Sequence, residues 1–210
     1  MNFRVRGKHL SMFGLFTAVL AAGCASFTTY GKGILRGHVL IRWDSQDKFI
    51  FIPDTKNPFS FRPSFFRGND DIVPGLMYTD GGSVPQVLWG IPGLSPWALG
   101  PAYIIHDWIF LVHRCNLPAP PEVKAITFQQ SAQILAEVGK ALVDADLIKD
   151  NKLEEIVWAV RTKYAESLWN QTSTGDDCKP PTVVSAVESK RLGLSKPRTV
   201  VDSVIPSPRR

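Results

Sequence analysis

Cysteine is scarce in this sequence, three residues in 210, and none of the three falls in a CxxC pair. The four histidines show no HxxxH spacing, so neither half of a Cys-His zinc centre has its usual scaffold. No Gly-x-Ser-x-Gly elbow occurs, and a hydrolase built on that turn is excluded. The apolar run near the N-terminus, Leu10 to Ala22, is 13 residues long, short of the roughly 20 that a bilayer-spanning helix needs. No internal repeat is visible, and no basic helix interleaved with aromatics. The net charge of +5 would suggest nucleic acid until the charges are placed. Three basic residues lie in the first 23 positions, and seven basic against four acidic lie beyond residue 171. Residues 24–171 then hold 14 basic and 15 acidic side chains, so the part that folds is close to neutral and no nucleic-acid partner is expected.

What is present begins at the N-terminus. Arg4, Arg6 and Lys8 form a positive start, an uncharged run follows, and Leu20-Ala21-Ala22-Gly23-Cys24 closes it with small residues before a cysteine. That order is the order of a secretory signal, and the closing cysteine resembles a bacterial lipoprotein signal. The resemblance implies cleavage before Cys24 and attachment of acyl chains, palmitate among them, to Cys24. The mature chain would then be tethered to a membrane by several chains, where a single one holds only marginally. Ala25 stands where an Asp would mean retention at the inner membrane, which favours the periplasmic face of the outer membrane. A plain secretory signal cut nearby is the alternative. Residues 1–23 are accordingly expected to be signal peptide and 24–33 a lipidated tether.

The remainder reads as one α+β domain over residues 34–171. Val39-Leu40-Ile41-Arg42-Trp43 and Phe49-Ile50-Phe51-Ile52 are β-branched and aromatic runs joined by polar residues, which predicts a hairpin or small antiparallel sheet. Phe59, Phe61, Phe65 and Phe66, punctuated by Pro58 and Pro63, suit an edge strand or irregular segment. Three main helices are expected to pack against the sheet. The first lies within Trp97–Leu111. The second runs from Glu122 to about Leu147, with Pro121 in its first turn. The third carries the stripe Leu153, Ile156, Val157, Val160, Tyr164 and Leu168. From Thr172 to Arg210, Ser, Pro, Lys and Arg dominate, and a disordered basic tail is expected. An oxidising compartment would permit a disulfide between Cys115 and Cys178; the sequence leaves that pairing open.

Two segments carry the candidate chemistry: Tyr78-Thr79-Asp80-Gly81-Gly82-Ser83-Val84-Pro85, and Ala102-Tyr103-Ile104-Ile105-His106-Asp107-Trp108-Ile109-Phe110. With Trp89 between them and a helix ending at Trp169, they resemble a small domain family of unknown function that is common in bacteriophages, prophages and bacteria. The resemblance covers residues 70 to 170 and implies relatives without implying a reaction or a cofactor. The chain departs from that family at Gln133, after Ala132, where relatives often carry Asp. A carboxylate-rich metal centre is therefore not expected.

Read physically, His106 and Asp107 are helix neighbours that project about 100° apart, so one can face the interior while the other meets a cleft. His106 could act as a general base near neutral pH, with Asp80 or Asp107 as its partner. The competing reading is structural: a buried His106 bonded to Asp80 or to loop backbone, Asp80-Gly81-Gly82 as turn chemistry, and Ser83 with Gln86 as a capping box. Asp144, Asp146, Asp150 and Glu155 fit a calcium-loop spacing, but Ile148 and Lys149 occupy positions that the loop needs otherwise. His113 and Arg114 suit a helix C-terminus, and Trp43, Trp97, Trp108 and Trp158 are expected in the core. Two functions compete. One is an envelope lipoprotein serving as an interaction module for an envelope or phage component. The other is an envelope hydrolase using His106 with Asp80 or Asp107. The first is favoured, because no nucleophile or metal set is evident.

Overall fold

The computed structural model describes residues 30–45, 48–80, 99–148, 153–182 and 199–204, the last as backbone alone. The signal, Cys24, Ser83, Gln86, Trp89 and Trp97 lie outside the described residues, as do Lys149 and Asp150. The architecture is α+β. Strands β1 (Ile34–Arg36), β2 (His38–Ser45), β3 (Lys48–Ile52), β4 (Ser60–Arg62) and β5 (Met77–Thr79) come first, and helices α1 (Gly100–Cys115), α2 (Pro121–Lys124), α3 (Phe128–Asp144), α4 (Leu153–Ala159) and α5 (Lys163–Trp169) follow.

The expected hairpin forms. β2 and β3 pair antiparallel with Ile41 opposite Phe51 and Trp43 opposite Phe49, and β5 adds to β3 with Met77 opposite Phe51 and Thr79 opposite Phe49. Because side chains alternate along a strand, Val39, Ile41, Phe51 and Met77 share one face, and all are buried. β1 and β4 make a separate two-stranded sheet. The chain passes from β1 to β2 at Gly37, whose φ of +90° and approach to the Pro58 carbonyl leave no place for a Cβ.

The tail differs from its expectation. Thr199–Val204 forms β6, which pairs antiparallel with β2 on the side away from β3. Without it that flank of β2 would offer unpaired N–H and C=O groups. Residues 175–178 form a 3-10 turn, and Cys178 closes a disulfide to Cys115 at the end of α1, with 5.6 Å between the Cα atoms. Residues 183–198 and 205–210 lie outside the described residues.

The three expected helices are five among the described residues, because two threonines interrupt the periodic stripes. Thr127 caps α3 reciprocally: its hydroxyl accepts from Gln130 N at 3.2 Å, and its own N–H donates to Gln130 Oε1 at 2.8 Å. The helix begun at Pro121 therefore stops at Lys124. Thr162 caps α5 by accepting from Ala165 N. That break resets the phase of the stripe, so Ala165 and Trp169 face inward while Tyr164 is 64% exposed. Trp158, on the outer face of α4, is 70% exposed and Trp43 is 50% exposed, which corrects their expected core roles. Trp108 is half-buried beside Gly75.

α1 packs on α3, β5 and α5, and α3 packs on β1 and α4. A buried polar cluster also joins the strand half to the helix half. Glu137 of α3 is fully buried, and its carboxyl accepts from Ser64 N at 2.8 Å, Ser64 Oγ at 2.7 Å and Gln133 Nε2 at 3.0 Å. Gln133, the point of departure from the resembled family, thus serves this carboxyl. Removing the acceptor strands three donors. Glu137→Ala should lower unfolding free energy by about 2–4 kcal/mol in denaturant titration; a loss below about 0.5 kcal/mol would show that these bonds are dispensable.

Candidate functional site

β5 shows how the local pattern builds the site. Met77 and Thr79 are buried and Tyr78 between them is exposed, so the Thr79 hydroxyl turns inward, where it donates to Asp107 Oδ2 at 2.7 Å. On α1, Asp107, Phe110, Leu111 and Arg114 recur at helical spacing along one stripe, and all four line a cleft of about 440 Å³. Lys48, Tyr78, Thr79 and Asp80 line it from the sheet, Leu168 from α5, and Ser173 and Asp177 from the segment after α5. That last wall is fastened to the end of α1. Ser173 N donates to Arg114 O at 3.1 Å, Arg114 Nε donates to Gln171 O at 3.3 Å, and the Cys115–Cys178 disulfide follows directly.

The structure separates the His-Asp pair. Asp107 is partly exposed and lines the cleft. His106 is 2% exposed, outside the cleft lining, with its ring 4.7 Å from that of Phe110. Burial pushes the His106 imidazole down to about 4, so the ring is neutral at physiological pH. Its Nε2 makes no hydrogen bond among the described residues, so the expected bond from this nitrogen to Asp80 or loop backbone is not formed there. The same holds for the hydroxyl of fully buried Tyr103. Its acidity is pushed down, its pKa up, by burial and then by the charge of Asp107 one turn along α1.

Asp107 carries the electrostatic character expected of His106. Burial first and the neighbouring charge of Asp80 second push its carboxyl up to about 7, against the hydrogen bond from Thr79. Near neutral pH it can therefore donate or accept a proton. The candidate pair becomes Asp107 with Asp80, both at the cleft, and His106 is a buried neighbour. Thr79 and Tyr103 stand inside the two segments with no role that the sequence assigns, and Arg114 is expected only at the helix end. The spacing 103, 107, 110, 111, 114 was the available signal. Among the described residues, no group of three or more His, Cys, Asp and Glu side chains is placed to hold a metal; Asp144 of the calcium-like spacing instead bonds Lys32 and Lys140.

No protein-family model, no curated protein and no solved structure matches this chain.

The two shifted groups give opposite pH signatures. The fold holds the Asp107 proton up to about 7 rather than the ordinary 3.8, so relative to Asp107→Asn its stability falls as pH rises through that window and is level above it. The fold resists protonation of His106 until about 4 rather than 6.5, so relative to His106→Gln its stability falls as pH drops through that window. Denaturant unfolding of the three proteins from pH 3.5 to 8.5 reads both slopes. A flat difference for Asp107→Asn between pH 4 and 7 would contradict a raised carboxyl.

Proposed function

We propose that the chain is a membrane-anchored envelope lipoprotein, acylated at Cys24, whose folded domain is an interaction module that seats part of an envelope or phage component in the cleft between β5, α1 and the Ser173–Asp177 segment. The order of charge, apolar run and small residues before Cys24 supports the address. A disulfide between Cys115 and Cys178 suits an oxidising compartment. The single observation that carries the binding role is Asp107: a carboxyl held by Thr79, lining a cleft with Asp80, and able to act as donor or acceptor toward a ligand. Lys48, Arg114 and Asp177 add fixed charges of both signs around it, which suits a polar ligand with complementary groups. The motif resemblance supports a prophage-related origin.

A second reading has one specific observation behind it. A carboxyl raised to about 7 beside another carboxylate is an arrangement that divides acid and base roles in hydrolases. In that reading the envelope hydrolase uses Asp107 with Asp80, and His106 has no direct part.

Mass spectrometry of the mature protein tests the address: acyl mass on an N-terminal Cys24 is expected, and a cut elsewhere or a bare cysteine would end the lipoprotein reading. Titration with peptidoglycan fragments, lipopolysaccharide and phage tail extract, followed by amide NMR, tests the module. Shifts should concentrate at Thr79, Asp107, Arg114 and Ser173, and Asp107→Asn should weaken binding roughly tenfold, as expected for a lost charge-assisted hydrogen bond. Shifts confined to another face would overturn the cleft. Product release that Asp107→Asn abolishes would favour the hydrolase.

A further inference from the structure

Trp158 and Tyr164 are 70% and 64% exposed, the largest exposures among the described large hydrophobic side chains. They flank the turn from α4 into α5, where Arg161 N donates to Trp158 O and Thr162 caps α5. The inward sides of these helices are occupied by Leu153, Ile156, Val157, Val160, Ala165 and Trp169. Neither exposed ring is needed for that packing.

The N-terminal tether enters the fold at this same corner. The Tyr30 ring lies 5.9 Å from the Arg161 guanidinium. The next residues are fixed: a Cβ on Gly31 would fall on the Ser64 side chain and reach Glu137 Oε1 at 3.4 Å, and Lys32 pairs with Asp144 at 3.5 Å. From Tyr30 back to Cys24 the chain has six residues, which span at most about 20 Å when fully extended. An acyl chain on Cys24 therefore holds Tyr30 within that distance of the lipid, with the Arg161 turn beside it.

We infer that this corner is a second membrane contact, with Trp158 and Tyr164 entering the boundary between headgroups and acyl chains beside the anchor. The inference rests on the lipid-anchor reading of Cys24. Trp and Tyr suit that boundary because each has a large apolar ring and one polar hydrogen-bonding edge. The Arg161 guanidinium, 5.9 Å from the Tyr30 ring, stands at the same corner and can meet a lipid phosphate. Charge does not drive the contact. Lys163 is paired with Glu166 at 2.6 Å, and exposed Glu154 and Glu155 stand on α4. The contact is thus mainly one of ring burial, and anionic lipid should not strengthen it. It orients the domain, whereas a flexible tether alone would let it tumble.

The test uses the full mature protein in vesicles of phosphatidylethanolamine and phosphatidylcholine with bromine on the upper acyl chain. Wild type minus Trp158→Phe isolates the Trp158 emission, and that component should be quenched. In parallel, the mature chain beginning at residue 24 with Cys24→Ser should retain weak vesicle binding that Trp158→Ala with Tyr164→Ala reduces roughly tenfold, as expected for the loss of two interfacial rings, with no change in far-UV circular dichroism. An unquenched Trp158 in a protein that mass spectrometry shows to be acylated would overturn the contact while leaving the anchor intact. A missing acyl group would overturn the anchor, and with it the basis of the contact. If the double substitution instead dissolves a dimer seen by sedimentation, the rings cover a second copy and the membrane contact is wrong.

Discussion

The Glu137 carboxyl is the constraint on which the rest of the arrangement depends. It is fully buried in α3, and the donors that reach it come from the turn after β4 and from Gln133 one helical turn earlier. Burying a carboxyl is costly unless its hydrogen bonds are made, so these bonds hold the turn at Ser64 against α3. Gly31 then has to pass where no side chain fits. One carboxyl thereby fixes the N-terminal segment, the β1–β4 sheet and α3 against one another. α3 in turn carries α1, and α1 carries the cleft.

α1 serves two environments at once. From Leu99 to Ile105 it is buried almost continuously, so that stretch is surrounded by apolar neighbours. At His106 and Asp107 the surroundings divide. The imidazole turns to Phe110 and loses its basicity to burial, while the carboxyl turns to Thr79 and the cleft and becomes harder to ionise. The largest cause of both shifts is the same, removal of a charge from water. Adjacent residues of one helix thus end with inverted tendencies: a histidine that stays neutral and an aspartic acid that keeps its proton up to about 7.

The α+β architecture and the hairpin were legible because alternation in Val39–Trp43 and Phe49–Ile52 is a local signal with a period of two. α1 was legible from its apolar run. The helix breaks were written in the sequence as Thr127 with Gln130 and as Thr162, but a stripe of apolar residues near 3.6 spacing hides a cap inside it. Once Thr162 restarts the helix, Tyr164 moves outward, a consequence that continuous periodicity cannot express. The Glu137 bond to Ser64 spans 73 residues, and no local pattern announces such a partner. The site was legible as a pair of segments and not as roles. Spacing shows that His106 and Asp107 diverge, but which of them meets water depends on Thr79 and on the packing of Phe110 against Trp169, which only the packed structure supplies.

The wall of the cleft formed by Ser173 and Asp177 has little of its own to hold it. Its regular structure is a single 3-10 turn, and Asp176 and Asp177 are exposed. Two hydrogen bonds at Arg114 and the bond between Cys115 and Cys178 do the fastening. A crosslink that closes a loop of this length works mainly by denying the segment its unfastened conformations. A wall so built is complete only where thiols are oxidised. On the reading of Cys24 as the anchor, the same export that presents this cysteine for acylation also places Cys115 and Cys178 where they can join. The cleft and the tether would then be finished in the same compartment.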